Sequence, residues 1–157
     1  MEANTIIQTF NLTRKYDHQT AVDSLSFTVK EGEIFGFLGP NGAGKTTTLL
    51  MLLGLSRPSG GSAKICGLNP LRDSMAVKRM VGYLPENVGF YADLDAVQSL
   101  EYVASLNSIP QNEASEKIEA LLDLIGLKND ANKKVDNFSR GMKQRLGIAE
   151  VLIKDPK

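Results

Sequence analysis

Gly39-Pro40-Asn41-Gly42-Ala43-Gly44-Lys45-Thr46-Thr47 satisfies every fixed position of the pattern G-x-x-x-x-G-K-[ST]. The run before it, Glu33-Ile-Phe-Gly-Phe-Leu38, is short, apolar and aromatic-rich, which predicts a buried parallel strand. The run after it, Thr46 to Leu55, predicts a helix whose N-terminus points at the glycines. Glycines let the backbone curl closely around an anion, so that successive N–H groups face phosphate oxygens. The helix dipole adds positive potential at the same place. Lys45 is placed to reach the outer phosphates, and the Thr46 hydroxyl to ligate magnesium. The plain alternative is a glycine-rich turn that binds nothing. The flanking strand and helix weigh against it, and the stretch reads as a nucleotide-phosphate loop.

Length and composition set the frame. A chain of 157 residues can bury one substantial core. Its 18 basic and 18 acidic residues cancel, with no basic block, so nucleic acid is not an expected partner. The single cysteine, Cys66, excludes an internal disulfide and a cysteine-cluster metal site, and reads as a buried strand thiol. Met1-Glu-Ala-Asn-Thr5 has neither a basic start nor a long apolar run, so no secretory signal is expected. The longest uninterrupted apolar run, Leu49 to Leu53, is far below a membrane span. A reducing, cytoplasmic setting fits these features.

Patterning changes character along the chain. Thr5 to Leu12 is β-prone, Asp17-His18-Gln19 is a polar turn, and Leu25-Ser-Phe-Thr-Val29 alternates with period two, which puts Leu25, Phe27 and Val29 on one face. Lys30-Glu-Gly-Glu33 reads as a turn into the loop-bearing strand. Arg57-Pro-Ser-Gly-Gly61 breaks the chain after the first helix, and Ala63-Lys-Ile-Cys66 is a short strand. Asn69-Pro70 predicts a helix start running to Val77, and Val81-Gly-Tyr-Leu84 a second parallel strand. From about Asp95 the spacing is helical. Leu94, Val97, Leu100, Val103 and Ala104 share a face before Pro110, as do Ile118, Leu121, Leu122 and Ile125 before the stop at Gly126. A last helix from Ser139 or Arg140 carries Leu146, Ile148, Ala149, Val151, Leu152 and Ile153.

The second motif, Asn137-Phe-Ser-Arg-Gly-Met-Lys-Gln-Arg145, decides which phosphate-loop family is in view. It resembles the signature motif of ABC-transporter ATPases, in a Ser-x-Gly-Met-x-Gln-Arg form. Taken alone it is an ordinary Ser-capped helix followed by basic residues. Downstream of a phosphate loop, the resemblance prevails. It implies a P-loop α/β fold of the ABC ATPase type, with an N-terminal antiparallel β region and an inserted helical subdomain. The β region and P-loop core would occupy about 1–86, and the helical subdomain about 90–145, of one domain covering 1–157. It also implies ATP and Mg2+ as ligands of Gly39 to Thr47, with Tyr16 at the position of an adenine-stacking aromatic. Ser139, Arg140, Gly141 and Met142 would serve the nucleotide held by a second ABC ATPase domain, in a homodimer. Val81-Gly-Tyr-Leu-Pro-Glu86 resembles the strand leading into the loop that joins the two subdomains; there Glu86 takes the place of a glutamine and stands as a second candidate magnesium ligand.

The Tyr-Leu-Pro-Glu and Ser-Arg-Gly-Met-Lys-Gln pairing is most similar to the ATPases of ABC-2-type exporters, and Tyr83 to Val88 with Phe90-Tyr91 also resembles the ATPase of nitrous oxide reductase copper-site maturation. The implied partner is an integral membrane transporter subunit touching Glu86 to Tyr91, and the implied location is peripheral, on the cytoplasmic face of the membrane. A soluble non-transport ABC ATPase and a catalytically silent nucleotide-binding module are the alternatives. The family's next strand, which ends in Asp-Glu and supplies the water-activating glutamate, has no counterpart before Lys157. The expectation is therefore a chain cut short before that strand, with no catalytic residue of its own, inactive and marginally stable in isolation.

Overall fold

The computed structural model describes residues 4–157; Met1 to Ala3, part of the stretch read for a secretory leader, lie outside it. The chain forms two compact units, Met1–Lys78 and Arg79–Lys157.

The first unit is built on a three-stranded antiparallel sheet ordered β2-β1-β3, from β1 (Thr5–Tyr16), β2 (Gln19–Lys30) and β3 (Gly60–Ile65). The turn at Asp17 and His18 joins β1 to β2, and Asp17 takes the left-handed backbone that Asp tolerates in turns. The expected alternation in β2 holds: Val29 is buried, Leu25 and Phe27 are half-buried, and their neighbours are exposed. Helix α1 (Lys45–Leu52) ends earlier than the sequence pattern suggests. Gly54 is left-handed, its N–H donates to the Met51 carbonyl, and the Leu55 N–H donates back to Leu50. That pair of bonds closes the helix before Leu55.

Three other expectations are corrected in this unit. Glu33 to Leu38 is not a strand, because no segment among the described residues lies alongside to form a ladder. It is held instead by stacking: Phe35 and Phe37 lie 5.3 and 5.8 Å from Phe27, while Ile34 and Leu38 face outward. Asn69 starts a turn rather than a helix. Its Oδ1 accepts from Leu71 and Arg72, and helix α2 runs only from Ser74 to Met80. Cys66 is half-buried in the left-handed turn after β3, not a strand thiol.

The second unit is helical, with α3 (Ala96–Leu106), α4 (Gln111–Leu124) and α5 (Arg140–Leu152) around one core. Asp95 and Gln98 form a reciprocal capping box that starts α3. Gly126, left-handed, ends α4 as the sequence predicts: its N–H donates to Asp123, and that of Leu127 to Leu122. Leu100, Ala104, Ile118, Leu122, Leu127, Leu146, Ala149 and Ile153 form the buried centre, and Phe138 closes it beside the start of α5. Truncating a fully buried leucine here, Leu100 or Leu146, costs about 2–5 kcal/mol. Ile148, one of the apolar residues carried by the last helix, is exposed.

Val81 to Leu84 likewise forms no ladder among the described residues. Its place on α5 is set by two glycines. A Cβ on Gly147 would stand 2.7 Å from Leu84 Cδ1, and one on Gly82 would overlap the Val151 side chain. The same packing lowers Glu150 into a cavity of about 160 Å³ lined by Tyr83, Pro85, Val88, Val103 and Lys154. Burial pushes the Glu150 carboxyl up to about 7. The folded protein then holds a proton that the unfolded chain releases at the ordinary value of 4.5. Stability from this group therefore falls as pH rises from about 4.5 to about 7. Glu150→Gln is expected to raise stability by about 1–2 kcal/mol at pH 8, after allowance for solvent screening, and to leave it nearly unchanged at pH 4. Denaturant midpoints at the two pH values check this.

Candidate nucleotide-binding site

The loop Gly39 to Thr47 is shaped by backbone conformations that side chains resist. Gly42 and Gly44 both have φ of 84°. At Gly44 there is also no room, since a Cβ would overlap the Ala21 carbonyl oxygen and touch Val22 on β2. The loop is thus pressed onto the sheet where α1 begins. Thr48, fully buried, fastens the first turn by donating from its hydroxyl to the Gly44 carbonyl at 3.0 Å. Gly44 is the N-cap residue, and no side chain caps this helix. Its leading N–H groups therefore point into the loop with the positive end of the dipole. Lys45 folds back across the loop, donating from Nζ to the Gly39 and Pro40 carbonyls at 2.6 and 2.7 Å. The Thr46 side chain is exposed beside it. Backbone donors, a cation and an exposed hydroxyl form a donor set suited to a polyphosphate with its metal ion.

Tyr16 closes β1 in the same unit. Its hydroxyl is held below its ordinary pKa by Arg14 first, then by Ser56, with a smaller contribution from Thr47. Thr47 belongs to the loop, so the structure brings Tyr16 and the loop's last residue together. The contribution of Arg14 has no signature in a sequence pattern, because it depends on how β1 packs on the segment after α1.

In the second unit, Ser139 is the N-cap of α5, and its Oγ accepts from the Met142 N–H at 3.2 Å. The hydroxyl proton remains available for donation. Ser139, Arg140 and Gly141 are exposed, whereas the Met142 side chain packs on the core. Glu86 lies on an exposed bend and shares a cleft of about 480 Å³ with Asn87, Val88, Phe138, Arg140, Lys143 and Gln144. Glu86 therefore faces the basic start of α5, a neighbourhood that its distance in sequence conceals. Arg145 serves the frame rather than the site. Its Nη1 donates to the Ile125 and Gly126 carbonyls at 2.8 and 3.0 Å, at the negative end of α4.

A glycine-rich loop leading into an uncapped helix, above an antiparallel β region and with a separate helical unit, defines a phosphate-loop domain of mixed α/β type. The family model for ABC transporter matches residues 22–157. The chain belongs to that family. It is 45% identical over 154 residues to the bacitracin transport ATP-binding protein BcrA of Bacillus licheniformis, covering 98% of this chain and 49% of BcrA. It is 36% identical over 152 residues to the probable multidrug ABC transporter ATP-binding protein YbhF of Escherichia coli, covering 97% of this chain and 26% of YbhF. Among solved structures, an ATP-binding subunit of an ABC transporter superposes with a TM-score of 0.86 at 28% identity, over 97% of this chain and 63% of that one. CbiO1 of Clostridium perfringens, part of the complex cbiONQ, gives 0.85 at 26%, over 98% and 63%. The chain spans about half the length of BcrA. Among the described residues no helix is long and apolar enough to cross a membrane.

The two loop glycines separate conformation from crowding. Gly42→Ala meets open space and is expected to cost only the left-handed backbone, about 1–2 kcal/mol. Gly44→Ala adds the overlap with Ala21 and is expected to cost more, about 3 kcal/mol or above. Thermal unfolding without nucleotide checks the order.

Proposed function

We propose that this chain is the ATP-binding part of an ABC transporter subunit, in which ATP-driven closure of two such domains works a separate membrane subunit. The observation that carries this is the loop itself: two left-handed glycines, an uncapped helix start and Lys45 arched over it. In this reading the N–H groups from Gly42 to Thr47 and the Lys45 ammonium hold the phosphates, and Thr46 supplies an oxygen to magnesium. Bound magnesium would offset the charge of the phosphate oxygens. Tyr16 takes the adenine on its ring. Division of labour follows the two units, with the first gripping the nucleotide and the second presenting Ser139 to Met142 to the nucleotide of a second copy.

Ser139 suits that role because its hydroxyl can donate while Oγ stays engaged with Met142. Exposure of Ser139, Arg140 and Gly141 at a helix start supports recognition of an anion carried by a partner. Closure around a γ-phosphate is an ordering switch of the kind nucleotide-dependent machines use. No residue in 1–157 is assigned to activating water, so the work proposed for these residues is binding and closure. Bacitracin transport and probable multidrug transport, in the names of two relatives, support small-molecule cargo selected by the membrane subunit. A peripheral position at the cytoplasmic face of the membrane follows from that partnership.

The full-length protein is expected to bind MgATP and hydrolyse it, with both lost or cut at least about a hundredfold on Lys45→Ala, which removes a charge aimed at the outer phosphates. Calorimetric titration and phosphate release check this. A folded full-length protein that does not bind MgATP overturns the assignment.

A further inference from the structure

One face of the Tyr16 ring is already occupied. The Arg14 guanidinium carbon stands 4.3 Å from the ring centroid, within cation–π range. Residues 14 and 16 share a side of β1, and the pairing with β2 slips on both sides of Arg14, between Leu12 and Arg14 and again between Arg14 and Lys15. Each of these two slips puts its extra residue on β2, so the alternation that sets Arg14 and Tyr16 on one side of β1 is kept. Arg14 Nε is buried with no hydrogen-bond partner, as expected for a group sealed against an aromatic face, while Tyr16 keeps 45% of its surface exposed. The accessible ring surface is therefore the side away from Arg14.

The guanidinium is also anchored. Its Nη1 donates to the Arg57 carbonyl at 2.6 Å, in the segment that follows α1. Two further bonds tie the same places together: the Ser59 N–H donates to the Thr13 carbonyl at 2.8 Å, and the Lys15 N–H to Ser59 Oγ at 3.0 Å. The end of β1 is thus strapped to the exit of the helix that carries Lys45 and Thr46. A planar, weakly hydrated cation suits this position, since it can stack on the ring and hydrogen-bond in its own plane at once; an ammonium group cannot. The hydroxyl responds as well, held below its ordinary pKa first by Arg14.

We infer that Arg14 is a positioning residue for base recognition: it locks the Tyr16 ring from behind, so that the opposite face stands ready for the purine of a nucleoside triphosphate. This rests on the reading that the phosphates lie in the Gly39 to Thr47 loop. Fixing the ring before binding removes an ordering cost that would otherwise fall on the complex.

The test compares MgATP with magnesium tripolyphosphate, which has the phosphates and no base. Calorimetry on the full-length protein, on Arg14→Met and on Arg14→Lys gives the affinities, and NMR of ring-labelled tyrosine, assigned with Tyr16→Phe, gives the Tyr16 titration. Arg14→Met is expected to weaken MgATP about three- to tenfold, to leave tripolyphosphate unchanged, and to move the Tyr16 titration to higher pH. Arg14→Lys should resemble Arg14→Met, because it keeps the charge and loses the plane. Equal MgATP affinity in Arg14→Met and the parent, a parallel loss of both ligands, or full rescue by lysine overturns the assignment. If the parent binds neither ligand, the phosphate-loop reading falls and this one with it. If the parent binds both and Arg14→Met is unaffected, only the role of Arg14 falls.

Discussion

The contact between Gly44 and the Ala21 carbonyl is the constraint on which the loop depends. It presses the loop against β2 at the point where α1 begins, and leaves no room for any side chain at residue 44. The left-handed backbone there turns the chain into the helix without a capping side chain, so the leading N–H groups stay available. A Ser or Asp at this position would cap the helix and occupy the donors the loop needs. Thr48 secures the turn from inside, bonding to the Gly44 carbonyl, so stability is obtained without covering the open end of the helix.

Arginine and lysine divide the work in a way their chemistry explains. Arg14 and Arg145 are struts, each fixing a carbonyl-bearing segment through Nη1: Arg14 to Arg57, Arg145 to Ile125 and Gly126 just past α4. Lys45 sits where its cation can change partners. Its ammonium rests on the loop's own carbonyls, a pair of bonds that a phosphate can replace. The rigid cations hold the frame, and the adaptable one lies on the exposed loop.

Glu86 and Glu150 show how position alters the meaning of a carboxylate. Glu150 is lowered into a partly open cavity beside the close packing of Leu84 and Val88 on Gly147, and its partial burial favours the neutral form. Glu86, four residues after Gly82, stays at the surface in a cleft with Arg140 and Lys143. The glycines that allow residues 81–88 to approach α5 are responsible for both outcomes.

Local chemistry is what the sequence could determine alone. The glycine-rich loop, the stop at Gly126 and the Ser139 helix start follow from bonds between residues a few positions apart, which is why they are legible, and the alternation in β2 follows from the period of two that any strand has. The strands expected over 33–38 and 81–84 are its weakest readings. A strand exists only through a neighbour's hydrogen bonds, and no pattern within a segment contains its neighbour. The same limit hides the stacking of Phe35 and Phe37 on Phe27 and the cleft shared by Glu86 and Arg140. The adenine role proposed for Tyr16 comes from family resemblance and not from a local pattern. What holds its ring is decided by the tertiary structure alone, because the anchor at Arg57 lies 43 residues from Arg14 and meets it only when β1 packs beside the exit of α1.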